Sequence, residues 1–198
     1  DEYEGLVSLF KLAESLSAGE INGRVIILPA MNYPAFRSAS RTSPIDAGNM
    51  NRSFPGKPDG TVTQKIADYV FRYLVPEADI VLDMHSGGKT LDFIPFAAVH
   101  VLPDKEQEAR CVAAMKAFGA PYSMMMLELD AVGMFDTVVE EAGKTFVTTE
   151  LGGGGSTTAE RVAIADRGVR NILIHAGILK GELETSPTGT VMLDMPDD

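Results

Sequence analysis

Asp79-Ile80-Val81-Leu82-Asp83-Met84-His85-Ser86-Gly87-Gly88, residues 79–88, sets the frame for the whole chain. The apolar run at 79–84 reads as a short buried strand, and His85 follows it directly, ahead of small residues. Four further stretches read as strands: 24–29, 93–101 with Pro95 weakening its start, 121–127, and 144–150. Helices are expected between them. Apolar residues recur at helical spacing over 5–17 and 62–75, and an acidic first turn opens 104–118. A shorter helix is expected over 134–142. A long one starts at Thr157 or Thr158 and runs to about residue 179, stopping near Gly181. Strands alternating with helices predict an α/β fold with a mixed, mostly parallel sheet flanked by helices. Sites in such sheets lie beyond the carboxyl ends of strands. His85 and Glu150 both stand there, and Glu2 stands just before the first helix.

The 198 residues suit one domain, and 45% hydrophobic with 23% charged residues is enough to bury a core. A net charge of −11 makes a nucleic acid a poor partner. No apolar run reaches the roughly 20 residues of a membrane span. The single Cys111 reads as a small buried hydrophobe, and a reducing, cytoplasmic setting is expected. Association with further copies of the chain is left open.

Each candidate site residue has an ordinary reading beside the functional one. A lone strand-end His is more often a hydrogen-bonded structural residue than a ligand, although neutral imidazole is the commonest metal ligand. Asp83 shares the side of the strand with His85 and could orient it. Glu150 ends an apolar strand: it either turns to solvent or sits poorly solvated, with its pKa raised toward that of a general base. Gly152–Gly155 lack the Lys-Ser/Thr of a phosphate loop and read instead as backbone that needs unusual dihedrals. The long Pro/Gly-rich segment 30–60 carries Arg37, Arg41 and the pair Asn51-Arg52, a combination that favours a carboxylate-binding loop.

Taken in order, Asp1-Glu2, Asn51-Arg52-Ser53-Phe54-Pro55-Gly56, Asp83-Met84-His85-Ser86-Gly87 and Thr149-Glu150-Leu151-Gly152 resemble the succinylglutamate desuccinylase/aspartoacylase family of zinc amidohydrolases, relatives of the zinc carboxypeptidases. The resemblance implies a zinc-carboxypeptidase-like fold and one Zn2+ per chain, with Glu2 and His85 as ligands. It implies Glu150 as the base that activates water, and Arg41 as the residue that steadies the oxyanion. Asn51 and Arg52 would grip the substrate α-carboxylate, with Arg37 as a further substrate-binding Arg. It also implies that the family's first His ligand and an N-terminal strand would fall ahead of Asp1. Residues 1–181 would then be the catalytic domain, and 182–198 a linker toward a C-terminal β-rich domain. His100 and His175 are possible substitute ligands, but a strand and a helix position favour structural roles.

The implied partner is a small N-acyl amino acid. Asp1–Gly5, Ser43-Pro44-Ile45-Asp46 and Glu150–Gly155 look most like the ectoine-degradation branch, which implies Nα-acetyl-L-2,4-diaminobutyrate as substrate. Glu128 or Asp130 would then meet its cationic side chain. The alternatives are an aspartoacylase- or desuccinylase-like deacylase, a carboxypeptidase-type peptidase, and a non-catalytic carboxylate-binding domain.

Overall fold

The computed structural model describes residues 1–194. Its helices are α1 (Glu4–Ser15), α2 (Tyr33–Arg37), α3 (Val62–Tyr69), α4 (Lys105–Phe118), α5 (Phe135–Glu141) and α6 (Ala159–His175). The strands are β1 (Ile80–His85), β2 (Phe96–His100), β3 (Tyr122–Met126), β4 (Thr145–Glu150) and β5 (Val191–Asp194). They form one sheet in the order β1-β4-β2-β3-β5, parallel at every step except β2–β4. The expected mixed, mostly parallel α/β architecture is the observed one.

Local chemistry explains several boundaries. Thr61 and Gln64 form a reciprocal capping box at the start of α3. Asp104 accepts from the backbone N–H groups of Glu106 and Gln107, and Thr158 accepts from that of Arg161, starting α4 and α6. Gly177 takes a left-handed conformation at φ 72°, so α6 ends at His175, before the predicted stop near Gly181. Residues 70–77 continue from α3 as a π-helical and then a 3-10 turn rather than as the single predicted helix over 62–75.

Two sequence expectations are corrected. The run Arg24-Val25-Ile26-Ile27-Leu28 takes no regular secondary structure and, among the described residues, pairs with no strand. Val25 and Ile27 lean on the Leu12/Val169/Leu173 cluster, while Ile26 and Leu28 are exposed. That alternation suits a half-buried segment, and β-branching alone supplies no hydrogen-bond partner. The stretch read as a linker, 182–198, contributes β5, whose backbone pairs with β3. Residues 195–198 lie outside the described residues.

The register divides the sheet into two unlike faces. Ile80, Leu82, Val147, Ala97 and Val99 point to the side covered by α4 and α6, where Phe118, Met115 and Cys111 complete a dry core. Asp83, His85, Thr148, Glu150, Phe96 and His100 alternate with them and so occupy the other side. Helix α5 covers part of that side through Phe135, which packs on Phe146 and Phe54. No described helix is long and apolar enough to cross a membrane.

Candidate active site

His85 and Glu150 are register partners at the carboxyl ends of adjacent parallel strands, so neither can move far from the other. Helix α1 brings Glu2 to them. Its Gly5 permits the approach: a Cβ there would stand 2.6 Å from the Cβ of Met84. A second anchor is buried Glu4, which accepts from the Ser86 hydroxyl at 2.6 Å. The result is a carboxylate clamp. His85 Nδ1 lies 2.9 Å from Glu2 Oε2, and its Nε2 lies 2.9 Å from Asp83 Oδ2. Glu2 Oε2 also accepts from the Ser86 backbone N–H at 2.9 Å.

The charges follow from this geometry. Asp83 first, and then Glu2, raise the His85 pKa well above its ordinary value despite burial. For Glu2, burial pushes the pKa up, but the hydrogen bond and charge of His85 and the Ser86 N–H bring it below its usual value overall. Glu150 moves the other way. Burial raises it to about 7, helped by Glu2 and Asp83 and opposed by His85 and Arg41. Its Oε2 is buried with no hydrogen-bond partner among the described residues. An unsatisfied carboxylate oxygen that titrates near neutrality is suited to exchanging a proton.

All three residues line a cleft of about 1030 Å³. One part of it is apolar, between α1, residues 25–28 and β1. The other part is polar, and Arg41, Asn51 and Arg52 reach it from the 30–60 segment. Asp46 folds that segment down by accepting from the Thr63 N–H, the Thr63 hydroxyl and the Gly48 N–H. The Thr63 N–H above all holds the Asp46 carboxyl well below the usual range. Asn51 Oδ1 accepts from the Phe135 N–H at 2.7 Å, joining the segment to α5. Arg52 pairs with Asp130 at 3.5 Å.

Arg37 is not brought into the cleft. It ends α2, is exposed, and is absent from the lining. His175 is exposed at the end of α6, and His100 is buried at the end of β2. Gly152–Gly155 all have positive φ. The N–H groups of Gly154 and Gly155 donate to Leu91 and Gly88, so this loop ties the strand ends together and offers no cradle there for an anion.

A second group lies on the same face of the sheet. His100 Nδ1 donates to both carboxylate oxygens of Glu140, at 3.0 and 3.1 Å, and its Nε2 lies 3.7 Å from Glu128. His100, Glu128 and Asp136 each offer one potential ligand atom, all within 4.8 Å of one another. Asp136 also lines the cleft. Local spacing did not bring Asp136 to the site: Asn51 and Phe135 are 84 residues apart, and α5 is placed there by the Phe135 N–H bond to Asn51 together with the packing of Phe135 on Phe54 and Phe146.

Residues 1–176 match the family described as the succinylglutamate desuccinylase/aspartoacylase catalytic domain. The chain belongs to this family. Over 197 residues, all of its length, this family member is 59% identical to the N-alpha-acetyl-L-2,4-diaminobutyric acid deacetylase of Halomonas elongata, and it covers 58% of that protein. The product-bound structure of the ectoine utilization protein EutE (DoeB) from Ruegeria pomeroyi is 65% identical and superposes with a TM-score of 0.96. That match covers 100% of this chain and 60% of the other. A succinylglutamate desuccinylase/aspartoacylase structure from Rhodobacter sphaeroides is 40% identical, with a TM-score of 0.92, over 100% of this chain and 60% of the other. The chain thus spans about three-fifths of the length of these relatives.

Proposed function

We propose that this chain carries the reaction centre of a zinc-dependent deacylase of N-acyl amino acids, with Nα-acetyl-L-2,4-diaminobutyrate as its substrate. Family membership and the deacetylase relative support the reaction class and the substrate. The observation that carries the chemistry is the unpartnered Glu150 Oε2 held beside the Glu2–His85 pair.

The donor set fits zinc. Two ligand atoms around one tetrahedral zinc ion stand about 3.3 Å apart, and His85 Nδ1 and Glu2 Oε2 already stand at 2.9 Å. Asp83 accepts from the far ring nitrogen and so leaves Nδ1 as the donor, the carboxylate–histidine arrangement common at zinc sites. When bound there, the ion supplies Lewis acidity toward the amide carbonyl and lowers the pKa of water. Asn51 and Arg52 hold the substrate α-carboxylate. Glu150 takes the proton from the attacking water and delivers it to the departing amine. Arg41, across the cleft, answers the negative charge that develops on the carbonyl oxygen.

The test is Glu150→Gln in the full chain. Acetate release should fall by at least about a thousandfold, since a positioned general base is worth up to about 10⁴, while the zinc content stays at that of the wild type. Retained turnover in this variant would refute the assignment.

A further inference from the structure

Building on the deacetylase reading, we infer that Asp136 is the residue that selects a cationic substrate side chain, by receiving its terminal ammonium at the α5 end of the cleft. Three observations carry this. The first is position. Asn51, which would hold the α-carboxylate, is hydrogen-bonded to the backbone of Phe135, and Asp136 is the next residue. In 2,4-diaminobutyrate the ammonium is four bonds from the carboxylate carbon, on the order of 5 Å when extended. One residue step along α5 can therefore answer both ends of the molecule.

The second observation is charge. Among the carboxylates at the polar end of the cleft, Glu2 and Asp83 are bonded to His85, Asp1 accepts from the Lys89 N–H, and Glu150 is the proposed base. Asp136 has none of these duties. Its Oδ1 accepts from the Thr137 N–H and hydroxyl. Around it, one imidazole, His100, is shared between Glu140 and Glu128, which leaves three carboxylates for one potential cation. Burial raises the Asp136 pKa, Glu128 adds to the rise, and His100 opposes it. A ligand cation would relieve this imbalance.

The third observation is what the cleft lacks. An acidic side chain would need a free cation, and the arginines lining the described cleft are Arg24, Arg41 and Arg52. Arg24 is paired with Glu77 and Arg52 with Asp130, and Arg41 lines the cleft with Glu150, where, on the proposed reading, it answers the developing oxyanion. The walls leading to Asp136 are Phe96, Met126, Met134 and Phe135, which suit a short methylene chain.

The experiment compares Nα-acetyl-L-2,4-diaminobutyrate with Nα-acetyl-L-norvaline, in which a methyl group replaces the ammonium, on wild-type and Asp136→Asn full-length protein. Asparagine keeps the acceptor for Thr137. The ratio of kcat/KM for the cationic over the neutral substrate should fall between about tenfold and 100-fold, mostly through KM, as expected for one charged hydrogen bond. An equal loss on both substrates, or no change in the ratio, would overturn the inference. Calorimetric titration with free L-2,4-diaminobutyrate and L-norvaline separates it from the parent reading. If wild type hydrolyses neither substrate but binds diaminobutyrate better, in an Asp136-dependent way, the deacetylase reading falls and the subsite stands. Equal binding of both amino acids, or of neither, overturns the subsite.

Discussion

Two histidines stand on one face of the sheet, each gripped by carboxylates, and they are built for different work. His85 ends β1 between Asp83 and Glu2, open to the cleft and partnered in register with Glu150. His100 ends β2, a strand that runs the other way beside β4. Its nearest partner, Glu140, is buried with it, at 7% and 8% side-chain exposure. In the first clamp one carboxylate orients the ring and the other converges on the same point as the ring's second nitrogen. In the second clamp the buried carboxylate takes both oxygens to one nitrogen. Residue type and charge are the same at both places. On the proposed reading, what makes His85 a ligand and His100 a structural ion pair is where the free lone pair points and whether a proton acceptor waits beside it.

The largest effect should come from testing that contrast directly. His85→Gln removes one of the two paired donors, so zinc per chain, measured by elemental analysis, should drop severalfold and activity by more than about a thousandfold. His100→Gln should retain zinc and instead lower stability by about 3 kcal/mol in a urea melt, because Glu140 is left buried without its partner. Zinc loss in the second variant and not in the first would reverse the two roles.

A smaller effect concerns Glu150 in the metal-free protein. Its folded pKa, about 7, is raised above the ordinary 4.5. Ionising it therefore costs more in the folded state than in the unfolded state. Stability should be full below pH 4.5, decline as pH rises through 7, and then level off. The loss is about 3 kcal/mol at most, at 1.36 kcal/mol per unit. Denaturant melts of wild type and Glu150→Gln from pH 5 to 8 should diverge in that window. Parallel curves would mean that the carboxyl is well solvated.

The smallest effect lies in the bridge between the two regions. Asp46→Ala removes the acceptor for Thr63 and Gly48, at a cost of about 1–2 kcal/mol. The Asn51-Arg52 segment should loosen, raising KM severalfold while kcat changes little. An unchanged KM would show that the contacts of residues 51–54 with residues 130–135 hold the segment without Asp46.

Much of the fold was legible in the sequence, because β1, β3, β4 and α4 carry their periodicity and caps locally. Glu2, His85, Glu150 and Asn51-Arg52, which the structure brings to one cleft, were legible as candidates because they lie at strand ends, a helix start or an Arg-bearing loop. Segment 24–28 pairs with no strand among the described residues, because a β-branched run by itself does not place a partner edge beside it. The tail misled because pairing with β3 depends on Pro121 and Tyr122, some 70 residues away, as the Val191 N–H bond to Pro121 shows. Arg37 misled because its distance from the cleft is set by α2, a turn capped by Asn32 inside what reads as loop.

The sequence by itself determined the alternation of elements, the buried strands, the cap positions and the ordered set of polar residues at their ends. Each of these depends on side chains within a few residues of one another. Tertiary structure decided which carboxylate meets which histidine, that Glu150 Oε2 has no hydrogen-bond partner among the described residues, and that Asp136 lies next to the residue bonded to Asn51. Those depend on sheet order, on the antiparallel placement of β2, and on long-range contacts such as the hydrogen bond from the Phe135 N–H to Asn51, none of which is encoded in local spacing.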